Sequence, residues 1–269
     1  MKTLVFTIAL LSLAFGLRSA SSRLAQKLGA LVMIAALAQL GWVLSGHWAG
    51  AVGMLLICAA VPLVFIYWQQ RGQTYAMHPC PLPAGHQSDA TFYPHASQYL
   101  QQLEQLEFEP ISEGGWRWLE SCESHRLMWN PECDTIASVC LCEQGQIAFS
   151  YVTFYSERQD GTLIQTTNYP FSTKLRLPAK VHRWHVPCEE KEMAEILRRH
   201  QQKLVHTHHR PTQQDPDTFL AQLRQQLSEQ AQYNAESGLI TTQDDQFSYS
   251  SMGILYLWAQ AVKDFIRLC

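Results

Sequence analysis

IAFSYVTFYSERQDGTLIQTT, residues 147–167, is the stretch that best defines the fold of the soluble part, because it predicts a β-hairpin. Residues Ile147 to Tyr155 are dense in β-branched and aromatic side chains, a composition typical of a strand. Gln159-Asp160-Gly161 supplies a turn signal, and Thr162 to Thr167 supplies a second strand. The two strands are therefore expected to pair side by side.

Shorter strand-like runs on both sides of this hairpin extend the prediction to a sheet. Along Thr135 to Cys142 the side chains alternate between two faces, and Cys140 and Cys142 share one of them. A second small hairpin is predicted around Asp244-Asp245. The remaining strand-like runs are Trp116 to Glu120, Arg126 to Trp129 and Val181 to Val186.

Helical spacing of apolar residues appears before and after these strands. A helix that begins at about Tyr93 and ends before Pro110 places Tyr99, Leu103 and Leu106 on one face. The later helical runs are Glu189 to Val205, Asp217 to Tyr233 and Ser251 to Leu268. The soluble part is therefore predicted to be α+β, with an antiparallel sheet flanked by helices.

Three apolar blocks, residues 3–17, 28–45 and 49–68, precede the soluble part. A helix needs roughly 20 apolar residues to cross about 30 Å of hydrocarbon. The second and third blocks meet this length without any Asp, Glu, Lys or Arg. The first block is shorter and fits either a membrane helix or a cleaved secretory signal. The sequence thus predicts N-terminal transmembrane helices, two or three in number.

The basic residues between the blocks predict the orientation of these helices. Arg18, Arg23 and Lys27 lie between the first two blocks, and Arg71 follows the third, whereas the intervening loop has no Lys or Arg. Cytoplasmic loops carry the excess of Lys and Arg, so the chain after Arg71 is predicted to face the cytoplasm. Cleavage of the first block would place it on the other side. The absence of ionisable residues from the second and third blocks favours an anchor over a transporter.

Composition excludes some functions of the soluble part. The chain has 20 Lys and Arg against 23 Asp and Glu, and it carries no basic stripe of the kind that follows nucleic-acid phosphates. We therefore predict no nucleic-acid partner. Of the eight cysteines, the six other than Cys58 and Cys269 are expected to be mostly free thiols, because a cytosolic location keeps them reduced.

Four segments are predicted along the chain. Residues 1–70 form the transmembrane anchor, and residues 71–89, which contain Pro79, Pro81 and Pro83, form a Pro-rich linker. The α+β domain covers residues 90–210, and a C-terminal helical segment, residues 211–269, packs on that domain or on the membrane.

Cysteines on one strand form the first candidate metal site. Cys140 and Cys142 share a face but lie about 6.5 to 7 Å apart, too far for an easy disulfide. They could share a metal with nearby Cys122, Cys133 or His125. The sequence lacks the paired CxxC knuckles that zinc sites usually show.

His182, His185 and Cys188 form the second candidate metal set. On a strand, however, His182 and His185 point to opposite faces. The sequence also lacks a GxSxG elbow and a phosphate-binding glycine loop, so it identifies no catalytic residue and no cofactor.

Ser156 to Asn168 also carries a family resemblance. Its Ser-x-Arg-x-Asp-Gly turn and Thr-Asn strand end resemble a segment of an uncharacterised group of bacterial membrane-anchored proteins. Leu106 to Pro110, His200 and Glu236 to Ile240 extend the resemblance, which covers Tyr99 to the C-terminus. It implies a protein of the bacterial inner membrane and no defined activity.

Two functions are compatible with these patterns. The first is a membrane-anchored, non-enzymatic protein whose cytoplasmic domain binds a protein partner, joins an assembly or forms a homo-oligomer. The alternative is a ligand sensor or an enzyme with a site near the 156–168 hairpin. The residues of such a site would be Arg158, Asp160, Thr166 and Asn168.

Overall fold

The computed structural model describes residues 2–20, 23–83, 93–187, 192–206 and 218–267. Within these residues the chain is α+β, as the sequence predicts, and it contains seven helices and two sheets. It divides into a helical unit, Met1–Gln73 with Tyr249–Cys269, and a sheet unit, Thr74–Ser248.

The secondary-structure elements are named in chain order. The helices are α1 (Lys2–Arg18), α2 (Arg23–Ser45), α3 (Trp48–Gln70), α4 (Ala96–Gln105), α5 (Met193–His206), α6 (Phe219–Glu236) and α7 (Ser251–Arg267). The strands are β1 (Tyr75–Ala76), β2 (Cys80–Pro81), β3 (Glu109–Trp118), β4 (Ser121–Asn130), β5 (Thr135–Gln144), β6 (Ile147–Glu157), β7 (Leu163–Thr167), β8 (Val181–His185), β9 (Ile240–Gln243) and β10 (Gln246–Tyr249).

The helical unit contains α1, α2, α3 and α7. In α2, residues Leu24–Ser45, and in α3, residues Trp48–Gln70, are long and apolar enough to cross a membrane, whereas α1 is a shorter apolar helix. Glycine allows α2 and α3 to approach closely, since a Cβ on Gly41 would lie 2.3 Å from the Gly50 carbonyl oxygen. The indole Nε1 of Trp258 in α7 donates a 2.9 Å hydrogen bond to the Ala59 carbonyl of α3.

The larger sheet of the sheet unit has seven strands in the order β2-β3-β4-β5-β6-β7-β8. Its neighbouring strands from β3 to β7 pair antiparallel, as the sequence predicts, and β2, which lies in the segment predicted to be a linker, pairs antiparallel with β3. The last pair, β7 and β8, is parallel, which corrects the prediction of an antiparallel sheet at this edge. The long connection over residues 168–180 brings the chain back beside the first residue of β7, so β8 runs in the same direction as β7.

The predicted hairpin of β6 and β7 is confirmed. Tyr155 pairs with Gln165, and the Arg158 amide donates a 2.9 Å hydrogen bond to the Thr162 carbonyl across the turn. Gly161 has φ of +75°, a left-handed conformation that glycine adopts without a steric cost. The turn signal in the sequence therefore corresponds to a backbone requirement.

Part of the Pro-rich segment forms strands. β1 pairs with β10 in a three-stranded sheet, and β2 is an edge strand of the larger sheet, where the missing N–H of Pro81 is tolerated. The Trp118 indole donates a 2.9 Å hydrogen bond to the Ala76 carbonyl. These contacts are long-range in sequence, so local composition gives no sign of them.

The seven-stranded sheet has two unlike faces. The first, which we call the core face, packs against α4 and α5 through a cluster that includes Val139, Val152, Phe154, Met193 and Ile196. The second, which we call the cavity face, carries polar and aromatic side chains and is partly covered by α6. It includes Glu123, His125, Ser138, Cys140, Tyr151, Tyr155, Gln165 and Arg183.

Candidate functional site

The four hairpin residues predicted to bind a ligand lie in two separate places. Arg158 and Asp160 lie at the turn, where an Asp160 carboxylate oxygen accepts a hydrogen bond from the Thr162 amide. Thr166 and Asn168 are buried, and the Asn168 side-chain oxygen accepts a hydrogen bond from the Val152 amide. The structure does not bring these four side chains together around a shared cavity, and ligand binding by them stays a prediction.

The predicted metal ligands also divide between distant positions. Cys140 and Cys142 lie on the central strand β5, whereas His182 and His185 lie on the edge strand β8. The two strands are three positions apart in the sheet, about 14 Å at the usual strand spacing. Cys188 lies outside the described residues.

His182 and His185 point to opposite faces of β8, as the sequence predicts. The His182 ring stacks near Trp184, with ring centroids 5.9 Å apart. The His185 imidazole contacts the Tyr169 carbonyl oxygen instead. The two imidazoles therefore do not converge on one metal ion.

A cavity with polar and aromatic walls lies between the cavity face and α6. It comprises two adjoining volumes of about 120 Å³ and about 70 Å³. Phe219 of α6 packs against Tyr155 of the cavity face, with ring centroids 5.3 Å apart. Side chains that line both volumes are Trp116, Glu123, Tyr151, Tyr155, Arg183, Leu227 and Gln230.

The strand register explains how these distant residues meet. Trp116 pairs with Glu123 across β3 and β4, and Gln165 pairs with Arg183 across β7 and β8. Every second residue of a strand points to the same face. Neighbouring strands in this register therefore present one continuous row of polar side chains. A fixed sheet is thus the scaffold of the cavity.

The cavity combines the Arg183 cation and the Glu123 carboxylate with neutral hydrogen-bond donors. The Arg183 Nε donates a 2.7 Å hydrogen bond to the Gln165 side-chain oxygen, which orients the guanidinium. Burial raises the pKa of the Tyr151, Tyr155 and Tyr169 phenols, so these hydroxyls stay neutral and can donate hydrogen bonds at physiological pH. The arrangement suits a ligand that accepts several hydrogen bonds and carries negative charge.

Glu123, His125 and Cys140 form a compact cluster in the wall of this cavity. Their potential ligand atoms all lie within 4.8 Å of one another. The His125 Nε2 is 3.4 Å from a Glu123 carboxylate oxygen and 3.8 Å from the Cys140 sulfur. His125 and Cys140 are buried, and the Glu123 side chain is 18% exposed.

Neighbouring residues hold the His125 ring in place. Its Nδ1 and the Ser138 hydroxyl are joined by a 2.9 Å hydrogen bond, and the Trp116 ring stacks on it with centroids 4.2 Å apart. Burial, with a further contribution from the Glu123 carboxylate, raises the pKa of the Cys140 thiol well above its usual value. In the absence of a bound cation this cysteine is therefore a neutral thiol.

A second buried histidine, His200, lies on the core face and has a structural explanation. Its Nδ1 is 2.9 Å from the Thr166 hydroxyl, and its Nε2 is 3.1 Å from the Ser156 hydroxyl. Burial lowers the pKa of His200 to about 3. The neutral imidazole thus satisfies two buried hydroxyls between α5 and the sheet.

The sequence alone predicts only some of these site residues. His125 appears as a possible neighbour of Cys140, but Glu123 and the cavity residues Trp116, Tyr151 and Arg183 do not emerge from any motif. The alternation of side chains along each strand was the available signal. Joining the strands into one site also requires the pairing register, which the sequence does not supply.

Comparisons with known proteins provide no homologue from which a function could be carried over: no family model matches the sequence, and no curated protein or solved structure matches it significantly. The chemistry of the cavity is therefore the basis for a functional assignment.

Proposed function

We propose that this protein is a membrane-anchored binding protein whose sheet unit holds a small organic carboxylate in the cavity under α6. The observation that carries the proposal is the Arg183 guanidinium, which lines both cavity volumes beside the Tyr151 and Tyr155 phenols. A planar guanidinium matches a carboxylate with two parallel hydrogen bonds.

The volume of the cavity supports a compact ligand. A dry cavity of about 150 Å³ takes up a molecule of the size of benzene, and the larger volume here is about 120 Å³. Trp116 and Leu227 provide apolar wall, whereas Arg183 and the phenols provide polar wall. A few convergent polar groups in a partly apolar cavity are typical of small-molecule sites.

The affinity of the Arg183→Met variant for small carboxylates tests whether Arg183 binds the ligand. Loss of a charge-assisted hydrogen bond costs about 1.5–3 kcal/mol, so affinity for the bound carboxylate should fall by about 10- to 160-fold. Calorimetric titration of the detergent-solubilised chain with a panel of small mono- and dicarboxylates, with inorganic phosphate as comparison, measures the affinity.

Arg176→Met is the matched control, because Arg176 is an exposed arginine that does not line the cavity. This variant should bind the carboxylate as the unmodified chain does. Equal affinities of the Arg183→Met and unmodified chains would contradict the proposed function.

The anchor rests on α2 and α3, whose length and composition suit membrane spans. We infer that both cross the membrane and that the sheet unit faces the cytoplasm, since Arg18, Arg23 and Lys27 precede the second apolar block. In bacterial membranes, the protein should resist alkaline carbonate extraction. A reporter that is active only in the cytoplasm should be active when it is fused after Cys269. Activity of a reporter that works only outside the cytoplasm would reverse the proposed orientation.

Binding of a protein partner or assembly into an oligomer stays a prediction from the sequence. Co-purification of other chains with the detergent-extracted protein addresses it directly.

A further inference from the structure

We propose that Glu123, His125 and Cys140 bind one zinc ion on the cavity face of the sheet. This site shares a cavity wall with the proposed carboxylate site through Glu123 and His125, but its three donors come from β4 and β5 and do not include Arg183. The cluster joins a carboxylate, an imidazole and a thiol, all of which bind zinc in proteins.

The two distances from the His125 Nε2 to the other donor atoms are close to those around a shared ion. Tetrahedral zinc with Zn–N and Zn–O near 2.0 Å and Zn–S near 2.3 Å implies a separation of about 3.3 Å between N and O, and about 3.6 Å between N and S. The His125 Nε2 lies 3.4 Å from the Glu123 oxygen and 3.8 Å from the Cys140 sulfur. The N–O separation exceeds the usual 2.7–3.2 Å of an N–H···O hydrogen bond.

The backbone places these donors without a flexible loop. Glu123 and His125 are two residues apart on β4, so they share a face, and His125 pairs directly with Cys140 on β5. Neighbouring strands hold such cross-strand pairs about 5 Å apart. The sheet therefore preorganises the three side chains.

A second layer of contacts orients the imidazole. The Ser138 hydroxyl is 2.9 Å from the His125 Nδ1, which leaves Nε2 for the other two donors. Histidine ligands of metals almost always bond through their other nitrogen in this way. The stacked Trp116 ring restricts rotation of the same imidazole.

Charge also favours a cation at this position. Glu123 is largely buried, and a bound Cys140 would be a thiolate, so the occupied site would contain two negative groups in a poorly solvated place. A divalent ion compensates both. Three protein donors leave a fourth tetrahedral position, and Glu123 and His125 both line the cavity, as in zinc sites that keep a position for water or a ligand.

Metal analysis and cobalt substitution of the full chain test the site. Detergent-solubilised protein without a histidine tag, incubated with zinc and dialysed against a weak chelator, should retain one more zinc ion per chain than Cys140→Ser. The cobalt-loaded protein should show thiolate-to-cobalt charge-transfer absorption. Cys133→Ser, which removes a half-buried thiol outside the cluster, should retain both signals.

Two further variants test the site if Cys140→Ser does not fold. Glu123→Gln keeps the shape of the side chain and should also lose the ion. Ser138→Ala should keep the charge-transfer absorption but bind zinc about 10- to 100-fold more weakly, the usual effect of removing the partner of a histidine ligand. These readouts do not involve the organic ligand, so they fail or succeed separately from the effect of Arg183→Met.

The cobalt spectrum of the unmodified chain can overturn the proposal without any variant, and the zinc content of Cys140→Ser is the second deciding measurement. Absence of thiolate-to-cobalt absorption, or retention of the same zinc content by Cys140→Ser, would overturn the proposal. Either result would make the cluster a metal-free hydrogen-bonded group between β4 and β5.

Discussion

Replacement of Phe154 by alanine is expected to lower the free energy of unfolding of the sheet unit by about 3–5 kcal/mol. Phe154 lies in the middle of β6 with no exposed surface. Its ring packs edge-on against Phe108, with ring centroids 5.8 Å apart, and it belongs to the cluster that joins the sheet to α4 and α5. Truncation removes these contacts and leaves a cavity in a closely packed region.

Hydrogen exchange of the β5 and β6 amides, followed by mass spectrometry of the detergent-solubilised chain, measures this loss. A local readout is needed because a chain with two compact units need not unfold in one transition. Ile147→Ala is the matched control on the same strand, where the side chain is 59% exposed and the expected change is within about 0.5 kcal/mol. Similar changes for both variants would contradict the assignment of this face as the core.

The sequence predicts the central strands well because the side chains of β5 alternate between the two faces of the sheet. Ile136, Ser138 and Cys140 alternate with Ala137 and Val139, and the structure directs these two sets to opposite faces. The β6–β7 turn is equally local, since Asp160 and Gly161 form it with their nearest neighbours. Local patterns of this kind are visible in a single sequence.

Longer-range pairings are not visible in the same way. β3 extends from Glu109 to Trp118, although the strand-like composition begins only at Trp116. Its first half, which includes Pro110, Gly114 and Gly115, becomes a strand because β4 pairs with it. Tertiary pairing overrides weak local propensity here.

The candidate metal cluster shows why sites were harder to predict than strands. Cys140 is identifiable as a potential ligand from its type and face, but His125 lies just before the predicted run that begins at Arg126. Only the register between β4 and β5 sets His125 opposite Cys140 and adds Glu123. Because a shift of one residue would send these side chains to the other face, the site depends on a feature that composition does not encode.

Acid is expected to destabilise the sheet unit partly through His200. Burial lowers the folded-state pKa of His200 from 6.5 to about 3. The unfolded chain therefore binds a proton as the pH falls below about 6.5, while the folded chain remains neutral down to about pH 3, so stability decreases across this window. Each pH unit corresponds to about 1.4 kcal/mol, which gives a loss of about 2–3 kcal/mol between pH 7 and pH 4.5.

His200→Gln tests this contribution because glutamine can still bond to the Thr166 and Ser156 hydroxyls but does not titrate. At each pH, the free energy of unfolding of the variant is compared with that of the unmodified chain. This difference should change by about 2–3 kcal/mol in favour of the variant as the pH falls from 7 to 4.5. Hydrogen exchange of β5 and β6 measures the difference, and comparison at equal pH cancels the intrinsic exchange rates. His182→Gln removes an exposed histidine instead and should retain the acid sensitivity of the unmodified chain. A pH-independent difference between His200→Gln and the unmodified chain would mean that His200 is protonated at similar pH in the folded and unfolded states.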